Sequence, residues 1–195
     1  MVEHNYFEFN YPTELLIKTD CKKYFETEVP LSGIVAKGKS FCYNVLQEKF
    51  VNFLDNHNTI HTVVLFKKSA NDQRMSAHVD IKGNLTRNLY ALNLVLPCND
   101  YGSMEWYDTK DGLQLPILFD ESKNQYCREL VSNLNLIEQF SITTKPCLIR
   151  TDIPHRVKIA SCDRYCISIR FQHNYKDWSE VIDSYKKLND ISYFK

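Results

Sequence analysis

The sequence has no surplus of charge of one sign and no long apolar run. Its 24 Lys and Arg residues balance 24 Asp and Glu residues. Proteins that bind duplex nucleic acid non-specifically usually carry a basic surplus, so this partner is not favoured. No apolar run approaches the roughly 20 residues of a membrane-spanning helix. The first residues also lack the basic and apolar regions of a secretory signal. We therefore expect no membrane segment.

Paired cysteine motifs are absent, and glycine is scarce. The seven cysteines include no Cys-x-x-Cys pair, which argues against a disulfide framework and against a zinc ribbon. Reduced thiols in a cytoplasmic, reducing compartment are the expectation. The five glycines are scattered and the chain has no internal repeat, so we predict a single domain over 1–195 without a flexible linker.

Two segments have the spacing of amphipathic helices. In residues 40–56, apolar side chains recur at steps of three and four, and Ser40 is placed to cap the start. A second such segment runs over about 177–188, where Asp177 and Glu180 resemble a capping box. We predict one helix from each segment, flanking the centre of the chain.

The centre of the chain, about 60–172, is rich in short strand-like runs. They lie at 61–66, 89–96, 104–107, 147–151 and 164–171. Several short strands separated by turn residues predict a mainly β (α+β) fold of the barrel or jelly-roll type. Segment 108–140 is too long for an ordinary connection and is either a lid or a packing element. Within it, Leu130, Leu134 and Ile137 have helical spacing.

The triplet His78-Val79-Asp80 carries the first chemical signal. In a strand, residues two apart point to the same side, so this imidazole and carboxylate converge. With a second histidine they would form a face of three metal ligands, which leaves three positions of an octahedral Fe(II) ion open. The candidates are His4, His57, His61, His155 and His173. We prefer His155, because it follows Pro154 at the mouth of strand 147–151.

The last predicted strand carries two arginines on one face. Arg164 and Arg170 are six residues apart, with Cys166 and Ser168 between them on the same side, and the opposite side is apolar. A buried guanidinium needs an anionic partner, and its planar fork suits a carboxylate. A dicarboxylate bound beside the metal would supply that partner.

With these residues the sequence resembles the Fe(II)- and 2-oxoglutarate-dependent oxygenases, in particular small phage- and bacterial-type members. The resemblance rests on His78-x-Asp80, His155 and Arg164, and it extends over about residues 60–172. Cys166 stands where many relatives have Ser or Thr.

The resemblance implies a double-stranded β-helix, which is a jelly roll closed around the metal. His78, Asp80 and His155 would hold Fe(II), and 2-oxoglutarate would chelate the metal as cosubstrate beside O2. Arg164 would bind its distal carboxylate, with Arg170 as the alternative. Asn93 and Ser168 are further candidates on the cosubstrate side. The reaction would be hydroxylation or demethylation of a second substrate, for which an amino acid, a peptide side chain or another small molecule is favoured.

Two other readings remain open at this point. One is a cupin-like metal-binding jelly roll that does not use 2-oxoglutarate, although the sequence lacks a His-x-His cluster. The other is a non-catalytic β-barrel binding module in which the ligand set is a coincidence. Metal analysis after anaerobic reconstitution distinguishes the binding module from the two metal-binding readings, because the binding module predicts no stoichiometric iron.

Overall fold

The chain forms two antiparallel sheets in the computed structural model. The structure describes residues 4–29, 33–70, 77–81, 89–109, 127–130, 134–158, 161–172, 175–186 and 189. Its strands are, in chain order, β1 (Tyr6–Glu8), β2 (Gly33–Gly38), β3 (Ile60–Lys68), β4 (His78–Ile81), β5 (Tyr90–Val95), β6 (Ser103–Thr109), β7 (Cys127–Leu130), β8 (Leu134–Ser141), β9 (Cys147–Arg150), β10 (His155–Lys158) and β11 (Arg164–Phe171). The prediction of a mainly β protein is confirmed.

The strand order alternates between the sheets along the chain. One sheet has six strands in the order β1-β9-β5-β11-β3-β2, and the other has five in the order β7-β4-β10-β6-β8. From β3 to β6, each strand lies in the opposite sheet to the one before it, and the same is true from β8 to β11. Each pairing is antiparallel. The inner faces of the two sheets pack on each other through a small cluster that includes Ala91, Met104, Trp106 and Ile149.

Helices cover the outer face of the six-stranded sheet. They are α1 (Lys22–Glu28), α2 (Cys42–Val45), α3 (Glu48–His57) and α4 (Trp178–Lys186), with short 3-10 turns at Thr13–Leu15 and Lys39–Phe41. The main hydrophobic core lies between these helices and the sheet. It contains fully buried side chains such as Phe25, Leu54 and Ile167. None of the described helices is long and apolar enough to cross a membrane.

The predicted helix over 40–56 is interrupted. Leu46 and Gln47 are extended between α2 and α3. Their backbone pairs with an N-terminal segment instead: the Gln47 N–H donates to the Leu16 carbonyl at 2.8 Å, and Ile17 bridges Leu46. The Gln47 N–H therefore pairs with a distant segment, whereas the Leu46 N–H keeps its helical bond to the Cys42 carbonyl at 2.8 Å. The predicted helix near the C-terminus is confirmed as α4, and Asp177 Oδ1 accepts from the Glu180 N–H at 3.0 Å.

The helical spacing of Leu130, Leu134 and Ile137 does not correspond to a helix. Residues Cys127–Leu130 and Leu134–Ser141 are strands β7 and β8. Strand β8 pairs with β6 along its length, with a register shift at Trp106 and Tyr107. Cross-strand pairing thus overrides the helical spacing of the leucines. Most of the suggested lid, residues 110–126, lies outside the described residues.

Candidate metal centre and anion cavity

The three predicted metal ligands meet between the sheets. His78 and Asp80 lie two residues apart in β4, on the same side of the strand. His155, the first residue of β10, stands directly opposite His78 in the antiparallel ladder. One potential ligand atom from each of the three residues lies within 4.8 Å of the other two. Among the described residues, this is the one cluster of His, Cys, Asp or Glu with such spacing.

Asp80 lies between the two imidazoles. Its Oδ1 is 3.5 Å from His78 Nε2, and its Oδ2 is 4.0 Å from His155 Nε2. The ring centroids of the histidines are 4.6 Å apart. All three side chains are buried, Asp80 completely. Two imidazole nitrogens and one carboxylate oxygen on one face suit a divalent transition metal with open coordination positions.

The local backbone fixes the orientation of His155. Its Nδ1 lies 2.9 Å from the Ile153 carbonyl. Because a carbonyl can only accept, Nδ1 carries the proton and Nε2 presents its lone pair toward Asp80. The segment before His155 is held against β6, because the Tyr107 N–H donates to the Pro154 carbonyl at 2.9 Å. Burial lowers the pKa of His155, so its neutral form, the form that binds metals, is favoured.

Arg170 lies against the metal-ligand set. Its Nη1 is 2.6 Å from Asp80 Oδ2, and both side chains are buried. This contact places a positive charge beside the carboxylate, which compensates its burial. Arg170 is therefore committed to Asp80.

Arg164 lies on the same face of β11 but has different surroundings. Its side chain is buried, and its Nε has no hydrogen-bond partner. No carboxylate of the described residues forms an ion pair with it. In particular, Asp152 pairs with Arg150 through two contacts of 2.9 Å, and Asp163 accepts from the Ala70 N–H. Burial lowers the pKa of the Arg164 guanidinium, because desolvation disfavours its charged form.

A small cavity of about 20 Å³ lies between the two sheets and is lined by Arg164. Its lining combines four polar side chains with an apolar wall: Asn93, Thr143, Lys145 and Arg164 line it together with Val95, Met104, Phe140, Ile142, Cys147 and Ile149. Lys145 is partly exposed, and its Nζ lies 3.2 Å from Glu8 Oε2. Arg164 is thus the buried cation of this cavity that has no acidic partner among the described residues. A buried guanidinium in this position suits a carboxylate group.

The remaining two predicted residues are cross-strand neighbours. Ser168 of β11 pairs with Asn93 of β5 in the ladder, and its Oγ lies 2.5 Å from Asn93 Oδ1. Asn93 lines the cavity, and Ser168 is completely buried beside it. The hydroxyl donates to Oδ1, so the amide group of Asn93 is held in one orientation. Their roles in cosubstrate binding stay predictions.

The other histidines weighed as third ligand lie elsewhere. His57, the last residue of α3, has its Nε2 3.0 Å from Ser184 Oγ of α4. His4 pairs with Glu138 at 2.6 Å. His61 is exposed, and His173 lies outside the described residues.

Sequence reasoning missed most of the cavity wall. Cys147 and Ile149 alternate with Leu148 along β9, so the period of two could have indicated their shared face. Phe140 lies in β8, whose leucines have helical spacing, and Ile142 follows directly after that strand. Met104 gave no signal beyond being apolar.

No protein-family model matches the chain, and no curated protein matches it.

Proposed function

We propose that the chain is an Fe(II)- and 2-oxoglutarate-dependent dioxygenase. One observation carries the proposal: a His78–Asp80–His155 ligand face and a buried arginine without an acidic partner share the space between the same two sheets. The first suits a divalent metal, and the second suits a carboxylate. A ligand that binds both must carry a metal-chelating end and a separate anionic end, as 2-oxoglutarate does.

The strand order supports a double-stranded β-helix. Strands β3, β11, β5 and β9 are neighbours in one sheet, and β4, β10, β6 and β8 are neighbours in the other. Eight strands that pass between two four-stranded antiparallel sheets make up a jelly roll. In this interpretation β1, β2 and β7 extend its edges, and the ligand face lies on the inner side of the five-stranded sheet.

His78, Asp80 and His155 would hold Fe(II). The chemistry supplied by the bound metal would be activation of O2, coupled to oxidative decarboxylation of 2-oxoglutarate and to oxidation of a second substrate. The chain contributes by positioning: the Ile153 carbonyl fixes the tautomer of His155, and Arg170 holds Asp80. Burial of the three side chains limits the access of water to them.

Arg164 would bind the distal carboxylate of the cosubstrate. The charges support this assignment, because Arg170 is already beside Asp80 whereas Arg164 faces the cavity. The carboxylate would neutralise the buried charge of Arg164. A planar guanidinium can bind a carboxylate through two parallel hydrogen bonds. Asn93, held by Ser168, offers an amide on the same cavity wall. The second substrate we favour is an amino acid, a peptide side chain or another small molecule.

The test is anaerobic addition of Fe(II) and then 2-oxoglutarate, followed by visible absorption. We expect a weak charge-transfer band in the native protein and none in His155→Ala. The matched control is His61→Ala, which removes an exposed histidine of β3 and should keep the band. For Arg164→Met, we expect the 2-oxoglutarate affinity to fall about 10- to 100-fold, since one charge-assisted contact of about 1.5–3 kcal/mol is lost.

Arg156→Met is the control for the arginine. Its Nε donates to Glu105 at 2.7 Å, and its side chain is 42 % exposed. This variant should bind 2-oxoglutarate normally. Stoichiometric metal without any 2-oxoglutarate affinity would instead favour the cupin-like reading. A folded protein that binds no metal would refute the proposal and favour the non-catalytic binding module.

A further inference from the structure

Two cysteines differ from the others in their position. Among the six cysteine side chains that the structure describes, Cys21, Cys42, Cys147 and Cys166 are buried. Cys98 and Cys162 are half-buried instead. Cys98 lies in the loop between β5 and β6, and Cys162 lies just before β11. Small reagents in solvent can therefore reach these two thiols.

Both thiols converge on one acceptor. Cys162 Sγ lies 2.9 Å and Cys98 Sγ 3.3 Å from the backbone carbonyl oxygen of Asp100. The Asp100 side chain holds the same two loops together: its Oδ1 accepts from the Gly102 N–H at 3.1 Å, and its Oδ2 accepts from the Ser161 N–H at 2.8 Å. The two sulfur atoms are therefore neighbours, held by Asp100.

The backbone at this point is the continuation of an antiparallel ladder. Val95 of β5 is paired with Cys166 of β11, and the Leu96 N–H donates to the Tyr165 carbonyl at 3.0 Å one step further. Continued in the same register, Cys98 would face Asp163, the neighbour of Cys162 in sequence. The two cysteines therefore lie near each other beyond the end of the ladder, one residue out of direct register.

We infer that Cys98 and Cys162 form a reversible disulfide when the protein meets a hydroperoxide. One thiolate attacks the peroxide oxygen and becomes a sulfenic acid, and the other thiol then displaces water from that sulfur. In total, two thiols and one hydrogen peroxide give one disulfide and two waters. The thiols lose two electrons, and the peroxide is reduced. A dithiol reductant reverses the change by exchange.

Burial and the neighbouring Cys162 raise the pKa of the Cys98 thiol to about 11. The two thiols are therefore close enough to affect each other, in agreement with their shared contact to the Asp100 carbonyl.

The bond would have a measurable effect on stability. It would close a loop of about 65 residues, which restricts the unfolded chain, and we expect Tm to rise by about 5 °C or more. It would also tether the start of β11, two residues before Arg164. The disulfide itself does not depend on the proposed metal chemistry.

The experiment treats the reduced, metal-free full chain with hydrogen peroxide, alkylates the remaining thiols and maps peptides by mass. We expect a loss of two hydrogen atoms, a cross-link between the peptides of Cys98 and Cys162, and reversal by dithiothreitol. Cys98→Ser and Cys162→Ser should form no cross-link, and the cysteine that remains should carry a dimedone-reactive sulfenic acid in at least one of the two variants. Cys21→Ala is the control and should keep the cross-link.

Three results would overturn the inference. They are oxygen addition at single cysteines without a cross-link, a cross-link between other cysteines, and no reaction. Each of these results can be observed with the native chain alone. The inference therefore stays testable even where a serine variant fails to fold. Because the readout is covalent mass, it is independent of whether the protein binds Fe(II) or 2-oxoglutarate.

Discussion

The two faces of strand β11 differ sharply in polarity. Ile167, Ile169 and Phe171 point toward the helices and join the main hydrophobic core. Arg164 and Arg170 point the other way, toward the second sheet. Both faces are buried. One strand thus separates an apolar core from a charged interior.

This difference separates residues that stabilise the fold from residues that cost stability. Each apolar side chain on the helix side contributes about 1.5–3 kcal/mol through burial. Each buried guanidinium on the other side requires an anion to offset its desolvation. Arg170 has that anion in Asp80, whereas Arg164 faces a cavity. The three positions Ile167, Arg170 and Arg164 should therefore respond to substitution in three different ways.

The largest loss of stability is expected for Ile167→Ala. Ile167 is completely buried in the main core, and truncation leaves a cavity, so the free energy of unfolding should fall by about 2–5 kcal/mol. Urea denaturation measures the change. The folded fraction should keep its affinity for 2-oxoglutarate, because the side chain faces away from the cavity. Loss of that affinity in the folded variant would show that the two faces are not independent.

Arg170→Met should have the next largest effect. Removing one member of a buried ion pair leaves Asp80 without the Arg170 guanidinium, which costs about 3 kcal/mol in the metal-free protein. A divalent metal at the site would replace the lost charge. We therefore expect most of the destabilisation to disappear when denaturation is repeated with saturating Mn²⁺. Equal destabilisation with and without the metal would contradict the assignment of Asp80 as a ligand.

The helix-side face of β11 was predictable from sequence, because apolar residues alternate with polar ones over its whole length. The strand pairings were not. Leu130, Leu134 and Ile137 satisfy a helical period, yet β8 is a strand because β6 supplies a partner along the sheet edge. Likewise, Leu46 and Gln47 leave the helical conformation because residues 16–18 offer backbone hydrogen bonds. Local spacing carries no information about such distant partners.

The ligand cluster was predictable in part. The spacing of His78 and Asp80 places them on one side of a strand, but choosing His155 among five histidines also drew on its position after Pro154. What sequence could not distinguish is the role of the two arginines. The sequence places both arginines on the same face of one strand and does not distinguish them. In the fold, Arg170 lies beside Asp80, whereas Arg164 lines a cavity.

Arg164→Met should have the smallest effect on stability, and it tests that distinction most sharply. The native side chain is a buried cation whose Nε has no hydrogen-bond partner. Replacing it with an apolar side chain of similar length removes the desolvation cost, so the free energy of unfolding should stay within about 1 kcal/mol of the native value or rise. Arg170→Met, six residues away on the same face, is the comparison with the opposite expectation.

Ligand addition gives the same variant a second readout. With the metal present, 2-oxoglutarate at about 100 times its Kd should stabilise the native protein by about 2.7 kcal/mol, because it binds the folded state alone. Arg164→Met should gain far less at the same concentration. Strong destabilisation of Arg164→Met without ligand would mean that Arg164 has a structural partner, and an undiminished gain with ligand would place the distal carboxylate elsewhere. The proposed role of Arg164 in binding requires both results: the variant stays stable without ligand, and it no longer gains stability from 2-oxoglutarate.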